Sequence, residues 1–402
     1  MIILVLNCGS SSVKYQLFNI NEESEVIAKG IVERIGFNNA IVSHRPVGKE
    51  KSKEEMAIPD HTVAINKIFQ LLTDEKVGVI KDVKEIKAVG NRVVQGGESY
   101  KESVLITQDV IKDIEANSEL APLHNPANLK GIMSVDNLLP GIPQVAVFDT
   151  SFHQTMPPHA YMYAIPNELY KKYKIRKYGY HGTSHKYVSR VASNVIGKDT
   201  RNLKMITCHL GNGASIAAIE FGKSIDTSMG FTPVDGLIMG TRTGDIDPGV
   251  LLFLADKENL SLKGVSNLIN KNSGMQGISG ISSDMRDLEL AYYEGNEQAA
   301  LALTMYAYRV KKFIGAYAAI MNGLDVLVFT GGVGENDFNI RRMICQNMDY
   351  LGLLFDEVAN HGIKGQDRVI SKSGSRVITA VIRTDEELLI ATDTHKIVEK
   401  CV

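Results

Sequence analysis

Three short turns combine glycine with serine, threonine or asparagine: NCGSSS at residues 7 to 12, GNGAS at 211 to 215 and TGGVGEN at 330 to 336. Glycine permits positive φ and close backbone approach, and exposed N–H groups beside hydroxyls supply donors for phosphate oxygens without a large charge. Any single turn of this kind also reads as a tight hairpin bend. Three in one chain, each after an apolar strand-like run, point to phosphate. None fits a Walker A loop (GxxxxGKS or GxxxxGKT) or GxGxxG between a strand and a helix, so P-loop and Rossmann readings are poor. Arg92 in VGNRVVQGGE and Arg242 in GLIMGTRTGDIDPG stand among glycines. There a guanidinium suits planar recognition of a carboxylate or phosphate, although each also reads as half of a structural ion pair. Asp149 in VFDTSFHQTMPP and Glu386 in RTDEELLIATDT are candidate metal carboxylates. Magnesium needs only one or two such groups plus substrate phosphates. His181 in YGYHGTSH lies just before a helix start, placed to donate to a phosphate oxygen. His124, His153, His185 and His209 read as structural histidines, and no metal-binding spacing such as HExxH occurs.

The 402 residues that carry these groups predict two or three domains. Hydrophobic residues make up 44% and charged residues 22%, values of an ordinary globular chain rather than a disordered or disulfide-rich one. Lys plus Arg total 44 against 46 Asp plus Glu, a net charge of -2, which offers no global field for nucleic acid or an anionic membrane. Cys8, Cys208, Cys345 and Cys401 are scattered without a CxxC pair, which argues against a zinc site and fits a reducing, cytoplasmic compartment. MIILVL at the start lacks a basic flank and stops at Asn7, so it reads as a strand rather than a signal peptide.

Strand and helix patterns alternate, which predicts an α/β fold. Ile2 to Leu6, the turn at 7 to 12 and Val13 to Phe18 form a hairpin, and Met205 to Leu210, the turn at 211 to 215 and Ile216 to Phe221 repeat it about 200 residues later. The repetition suggests two similar α/β domains. Gln144 to Phe148 reads as a strand buried on both faces with Asp149 at its end. Thr183 or Ser184 is expected to cap a helix that Gly197 closes. A further helix from about Leu303 to Ile320 and a strand at Val326 to Phe329 lead into the third turn, and KEKSKEE at 49 to 55 reads as solvated loop or helix surface.

Ten segments together closely resemble the acetate kinase family, within the superfamily of acetate and sugar kinases, heat-shock proteins and actin. They are LNCGSSSVK (6 to 14), GNRVVQGGE (90 to 98), PLHNP (122 to 126), VFDTSFHQTMP (147 to 157), YGYHGTSH (178 to 185), HLGNGAS (209 to 215), MGFTPVDGLIMGTRTGDIDP (229 to 248), GISGISSDMRD (277 to 287), FTGGVGEN (329 to 336) and RTDEELLIATDT (383 to 394). The resemblance implies two ribonuclease H-like, actin-like ATPase domains flanking an active-site cleft. The first spans 1 to 150 with segment 386 to 402 packing back on it; the second, at 151 to 385, binds nucleotide and forms a homodimer. It also implies reversible transfer of the ATP γ-phosphate to acetate, giving acetyl phosphate and ADP, with Mg²⁺ or Mn²⁺ as cofactor and no nucleic acid or membrane as partner.

By the same resemblance Arg92, Asp149, His181 and Arg242 are catalytic, and Asn7, Asp149 and Glu386 organise the metal. Lys14, His209, Gly211, Asn212, Gly213, Asp284, Met285, Arg286, Gly332, Val333 and Asn336 would meet the nucleotide. Arg92, Val94, Leu123, Tyr180 and Pro233 would form the acid pocket. Three departures stand out: Asn91 and Gln95 replace the family's usual histidines around Arg92, Tyr180 replaces a phenylalanine, and Met285 replaces another. A propionate or butyrate kinase with a wider pocket remains an alternative. From another class, so does an actin-like nucleotide-binding assembly or sensor protein.

Overall fold

The computed structural model describes residues 1–21, 24–363 and 365–401, so Val402, the last residue of the expected C-terminal segment, lies outside them. The chain divides into two units, Met1–Ser151 with Asp385–Val402, and Phe152–Thr384.

The first unit carries strands β1 (Ile2–Gly9), β2 (Ser12–Ile20), β3 (Ser24–Glu33), β4 (Phe37–Pro46), β5 (Ser52–Ile58), β6 (Ile86–Val93), β7 (Val104–Leu105) and β8 (Gln144–Phe148), in sheet order β5-β4-β3-β2-β1-β6-β8-β7. The second carries β9 (Lys204–Leu210), β10 (Ala214–Glu220), β11 (Lys223–Thr227), β12 (Val326–Thr330), β13 (Arg368–Val369) and β14 (Ile378–Val381), in order β11-β10-β9-β12-β14-β13. Both sheets share one plan. An antiparallel meander (β3-β2-β1, β11-β10-β9) continues into two parallel strands (β6 and β8, β12 and β14), with a short antiparallel strand at the edge. The repeated hairpin in the sequence is the visible part of this repeated plan, and only the first unit adds β4 and β5. Parallel strands need both faces covered, and the fully buried runs of β8 and β12 have the continuous apolar character this demands.

In the first unit the helix Glu386–Glu399 lies on the sheet, where Ile390, Ala391 and Val398 join Ile3, Val5, Phe18 and Val145 in one core. Its approach is close. A Cβ on Gly90 of β6 would stand 2.5 Å from Thr394 Oγ1 and 2.6 Å from Ile390 Cγ2, so a side chain there would push the helix, and Glu386 with it, off the sheet. The opposite face is covered by the helices His61–Thr73 and Asn125–Leu138, whose Ile65, Ile68, Leu72 and Val135 pack under Leu4, Leu6 and Val89.

Four local expectations are corrected. β1 runs on to Gly9, pairing Asn7 with Lys14 and Gly9 with Ser12, so only Ser10 and Ser11 make the bend; the ladder satisfies backbone groups that a longer loop would leave to water. Residues 52 to 58 are an edge strand rather than loop or helix, because pairing with β4 outweighs their polarity, and their Lys and Glu side chains discourage further strand addition. His181, at φ 55°, stands at the cap position of the helix Gly182–Ile196 with no side-chain capping bond, and Thr183 and Ser184 lie inside the first turn. Residues 331 to 336 close into a short helix, Gly331–Asn336, instead of an open turn. Glu335 explains this: its carboxylate accepts from the N–H groups of Gly331 and Thr384, both at 3.0 Å, and pins the helix start to the end of β12.

Candidate active site

Parallel pairing of β6 with β8 sets Arg92 beside Val147, and Asp149 follows immediately, its N–H donating to the Val93 carbonyl at 2.9 Å. Arg92 Nη2 then donates to Asp149 Oδ2 at 3.0 Å, and Nη1 makes a longer bond of 3.4 Å to Asn7 Oδ1 from β1. The Arg92 Nε is buried and has no hydrogen-bond partner among the described residues. Burial lowers the guanidinium's proton affinity, but Asp149 and Glu386 nearby outweigh it and hold the group charged. Burial, reinforced by Asp149, pushes the Glu386 carboxyl up although Arg92 pulls it down. Lys14 is exposed on β2 and adds its charge to this corner. Asn91 donates to Gln144 Oε1 at 3.1 Å, and Gln95 Oε1 accepts from the Gly97 N–H at 3.0 Å, so the replacements for the family's histidines brace the strand end.

Among the described residues no three His, Cys, Asp or Glu side chains could hold a metal together. The donor set still fits magnesium. Asp149, Glu386 and the Asn7 amide supply hard oxygen donors, and two carboxylates sharing one buried corner with a single guanidinium gain from a further cation.

In the second unit the turn after β9 projects Gly211 to Gly213, and Arg242 and His181 converge on it. A Cβ on Gly213 would meet Arg242 Nη1 at 3.5 Å and His181 Nε2 at 3.6 Å. Among the described residues Arg242 makes only long contacts, 3.4 Å to the Pro233 carbonyl and 3.8 Å to Met239 Sδ, and no carboxylate pairs with it. Burial accordingly lowers its proton affinity. His181 stacks on His209 with ring centroids 4.3 Å apart.

A cavity of about 650 Å³ opens beside this turn and is lined by Gly211, Asn212, Asp284, Met285, Arg286, Gly332, Val333 and Asn336, all expected at the nucleotide. Asp284 caps the helix Met285–Tyr293 and pairs with Arg286 at 2.6 Å. The sequence reading missed Gly240, Met275, Ser283, Glu289, Tyr306 and Asp337, which share the lining. Glu289 stands one helical turn beyond Met285 and Arg286 and could have been found by that spacing. Tyr306 gave no signal, being one apolar position among many on a long helix.

Asp337 caps the helix Phe338–Cys345 through the Ile340 N–H, and burial, with Glu289 nearby, pushes its carboxyl up to about 6. A raised carboxyl pKa costs stability as pH rises through it and costs nothing below the unfolded value. Asp337→Asn, which keeps the cap, is therefore expected to stabilise the fold above pH 6 by on the order of 1 to 2 kcal/mol, read as a higher melting temperature, a gain that vanishes near pH 4. Thermal melts at pH 4 and pH 8 check this.

The acid-pocket positions are placed separately. Val94 is buried in the first unit, and Leu123 is 73% exposed in the loop before the helix Asn125–Leu138. In the second unit Tyr180 is buried and its hydroxyl donates to the Phe231 carbonyl at 2.9 Å, so the oxygen that replaces the family's apolar ring edge is already spent. Pro233 is half-buried two residues on. Cys8 and Cys208 are buried, and burial pushes the Cys8 thiol up to about 12, so neither is poised as a nucleophile.

The acetokinase family model matches residues 2–392. The acetate kinase of Clostridium acetobutylicum is 56% identical over 398 residues, 99% of each chain. The crystal structure of Porphyromonas gingivalis acetate kinase superposes with a TM-score of 0.96 at 53% identity, covering 99% of both chains. A propionate kinase from Francisella tularensis follows with a TM-score of 0.90 at 43% identity, covering 98% of this chain and 99% of its own. A match in one order from the first strand to the C-terminal helix, on a doubled α/β plan with these turns and arginines in place, makes the chain a member of the acetokinase family.

Proposed function

We propose that the protein is an ATP:acetate phosphotransferase, which moves the γ-phosphoryl group of ATP reversibly to acetate and releases acetyl phosphate and ADP. The observation that carries this is Arg242: a half-buried guanidinium without a carboxylate, aimed with His181 Nε2 at the glycine turn. Such a cation is costly in a resting protein and valuable where charge develops on equatorial phosphoryl oxygens. Asn212 and the turn N–H groups hold phosphates, and the cavity of about 650 Å³ receives the nucleoside. The acid is ionised at neutral pH and attacks through a carboxylate oxygen, so no general base is needed. Arg92, whose side chain stays 20% exposed beside Asp149, orients that carboxylate. Asp149, Glu386 and Asn7 would hold Mg²⁺, which supplies neutralisation of phosphate charge when bound.

The test is hydroxylamine trapping of acyl phosphate with ATP and Mg²⁺ against acetate, propionate, butyrate and no acid, with ADP and diphosphate both assayed. Strong acetate dependence with ADP as product is expected. A maximum at propionate would favour the second reading, which the propionate kinase neighbour supports. No acid dependence, with nucleotide-driven assembly, would replace both.

A homodimer forms part of the proposal. The helix Pro248–Lys257 buries none of its residues, and Leu252 and Phe253 are 74% and 60% exposed, with Leu262 at 91% at the start of the next helix. Single exposed apolar residues are ordinary, but a contiguous patch on consecutive helices marks an interface, and a second copy fits the small net charge of -2 better than a charged partner. Phe253→Glu is expected to shift the sedimentation coefficient from dimer to monomer. A cytoplasmic location is proposed from the four free cysteines, and no helix among the described residues is long and apolar enough to cross a membrane.

A further inference from the structure

The second unit gathers four histidines, His153, His181, His185 and His209, that sequence reading treats one by one. His185 is fully buried in the first turns of the helix Gly182–Ile196, with His153 edge-on at 5.6 Å. A continuous chain of hydrogen bonds runs through it. Thr207 Oγ1 lies 2.7 Å from His185 Nδ1, His185 Nε2 lies 2.8 Å from Ser215 Oγ, and Ser215 Oγ lies 2.9 Å from His181 Nδ1. Thr207, His185 and Ser215 are all wholly inaccessible to solvent.

A neutral imidazole has one donor and one acceptor nitrogen, and each hydroxyl has one proton; if both imidazoles donated to Ser215, its own buried proton would find no acceptor among the described residues, so the chain runs in one sense or the other. If His181 donated from Nδ1, Ser215 would donate to His185 Nε2 and His185 would donate to Thr207. The Thr207 hydroxyl proton would then be buried without an acceptor, since no second acceptor lies in hydrogen-bond reach of Oγ1 among the described residues. An unsatisfied buried donor bears the full cost of its desolvation. In the opposite sense every proton is used: Thr207 donates to His185 Nδ1, His185 Nε2 to Ser215, and Ser215 to His181 Nδ1. That sense leaves the His181 proton on Nε2, the nitrogen that faces Gly213 beside Arg242.

We propose that Thr207, His185 and Ser215 are positioning residues that lock His181 in the tautomer protonated on Nε2, so that it presents an N–H donor to an oxygen held over the Gly211–Gly213 turn. The inference deepens the phosphotransferase reading and rests on it for the identity of that oxygen, but not for the tautomer itself. Burial keeps His185 neutral, since it drives the imidazolium down, with His153, His209 and His181 adding in the same direction. A charged His185 would have to donate from both nitrogens and would break the chain at Thr207. The arrangement is the hydroxyl counterpart of the carboxylate that fixes a histidine's tautomer from its far nitrogen.

The test has two arms on the full-length protein. In the first, ¹⁵N-histidine NMR at pH 8 assigns the His181 tautomer, with His181→Gln identifying its signals. The wild type is expected to show His181 protonated on Nε2, and Ser215→Ala to show a mixture of both tautomers. In the second, turnover and KM are measured for Ser215→Ala, His185→Leu and His185→Gln. Ser215→Ala and His185→Leu are expected to lose about 10- to 100-fold in kcat with the nucleotide KM little changed. His185→Gln is expected to recover most of that loss, because its amide donates to Ser215 and accepts from Thr207. A wild-type His181 protonated on Nδ1 overturns the proposal outright, even if His185→Leu does not fold. An unchanged tautomer and kcat in Ser215→Ala overturns it too. If no acyl phosphate forms in the wild type, the transferase reading fails while the NMR arm still decides the tautomer.

Discussion

Arg242→Ala is expected to lower kcat by 10² to 10³, about 3 to 4 kcal/mol of transition-state stabilisation, while leaving the melting temperature unchanged or slightly higher. Both halves follow from one observation. The guanidinium is half-buried and, among the described residues, makes only long contacts to the Pro233 carbonyl and Met239 Sδ and lacks a carboxylate partner. Removing it therefore deletes no strong native bond and relieves the cost of desolvating a cation. Its worth appears only when phosphoryl charge develops over the glycine turn, where Nη1 stands 3.5 Å from the site of a Gly213 Cβ. Arg242→Lys should fall between the wild type and alanine, because a point charge survives but the planar fork does not. Steady-state kinetics beside a thermal melt decide it. A large stability loss, or a kinetic effect under about fivefold, would show that the arginine is structural.

Asp149→Ala, unlike Arg242→Ala, is expected to cost stability as well as turnover. The carboxylate is 1% exposed and pairs with Arg92 at 3.0 Å, so its loss strands a largely buried guanidinium. Breaking such a pair from one side costs about 3 to 5 kcal/mol. Glu386 moderates the loss, since it already sits in the same electrostatic corner and can take up the pairing, which places the expected value near the lower end, about 3 kcal/mol. Replacing both partners with apolar residues of similar size, Arg92→Met with Asp149→Leu, should restore most of the stability while leaving activity abolished. Chemical denaturation of the single and double variants measures the first, and the hydroxylamine assay the second. Equal destabilisation by the single and double variants would mean the pair itself, not the stranded cation, carries the energy.

The sequence by itself determined the two hairpins, the buried strand that delivers Asp149, the helix closed by Gly197 and the glycine turn between β9 and β10. These features are local. A run of alternating or continuous apolar residues and a glycine beside it fix φ, ψ and burial within a few positions, whatever the rest of the chain does. Sequence also carried the family, because ten motifs in one order are far more specific than any one of them. Tertiary structure decided what depends on partners distant in the chain. Strand pairing overrode the charge of residues 52 to 58, and a carboxylate from Glu335 turned a glycine-rich bend into a helix. The Phe231 carbonyl absorbed the Tyr180 hydroxyl that the sequence left as a question about acid size. Leu123, which the resemblance alone placed in the acid pocket, is 73% exposed. The histidine chain is the clearest case: residues 181, 185, 207 and 215 are joined only because β9, β10 and the helix Gly182–Ile196 pack together, and a proton's position in a buried chain is set by whether the last hydroxyl finds an acceptor.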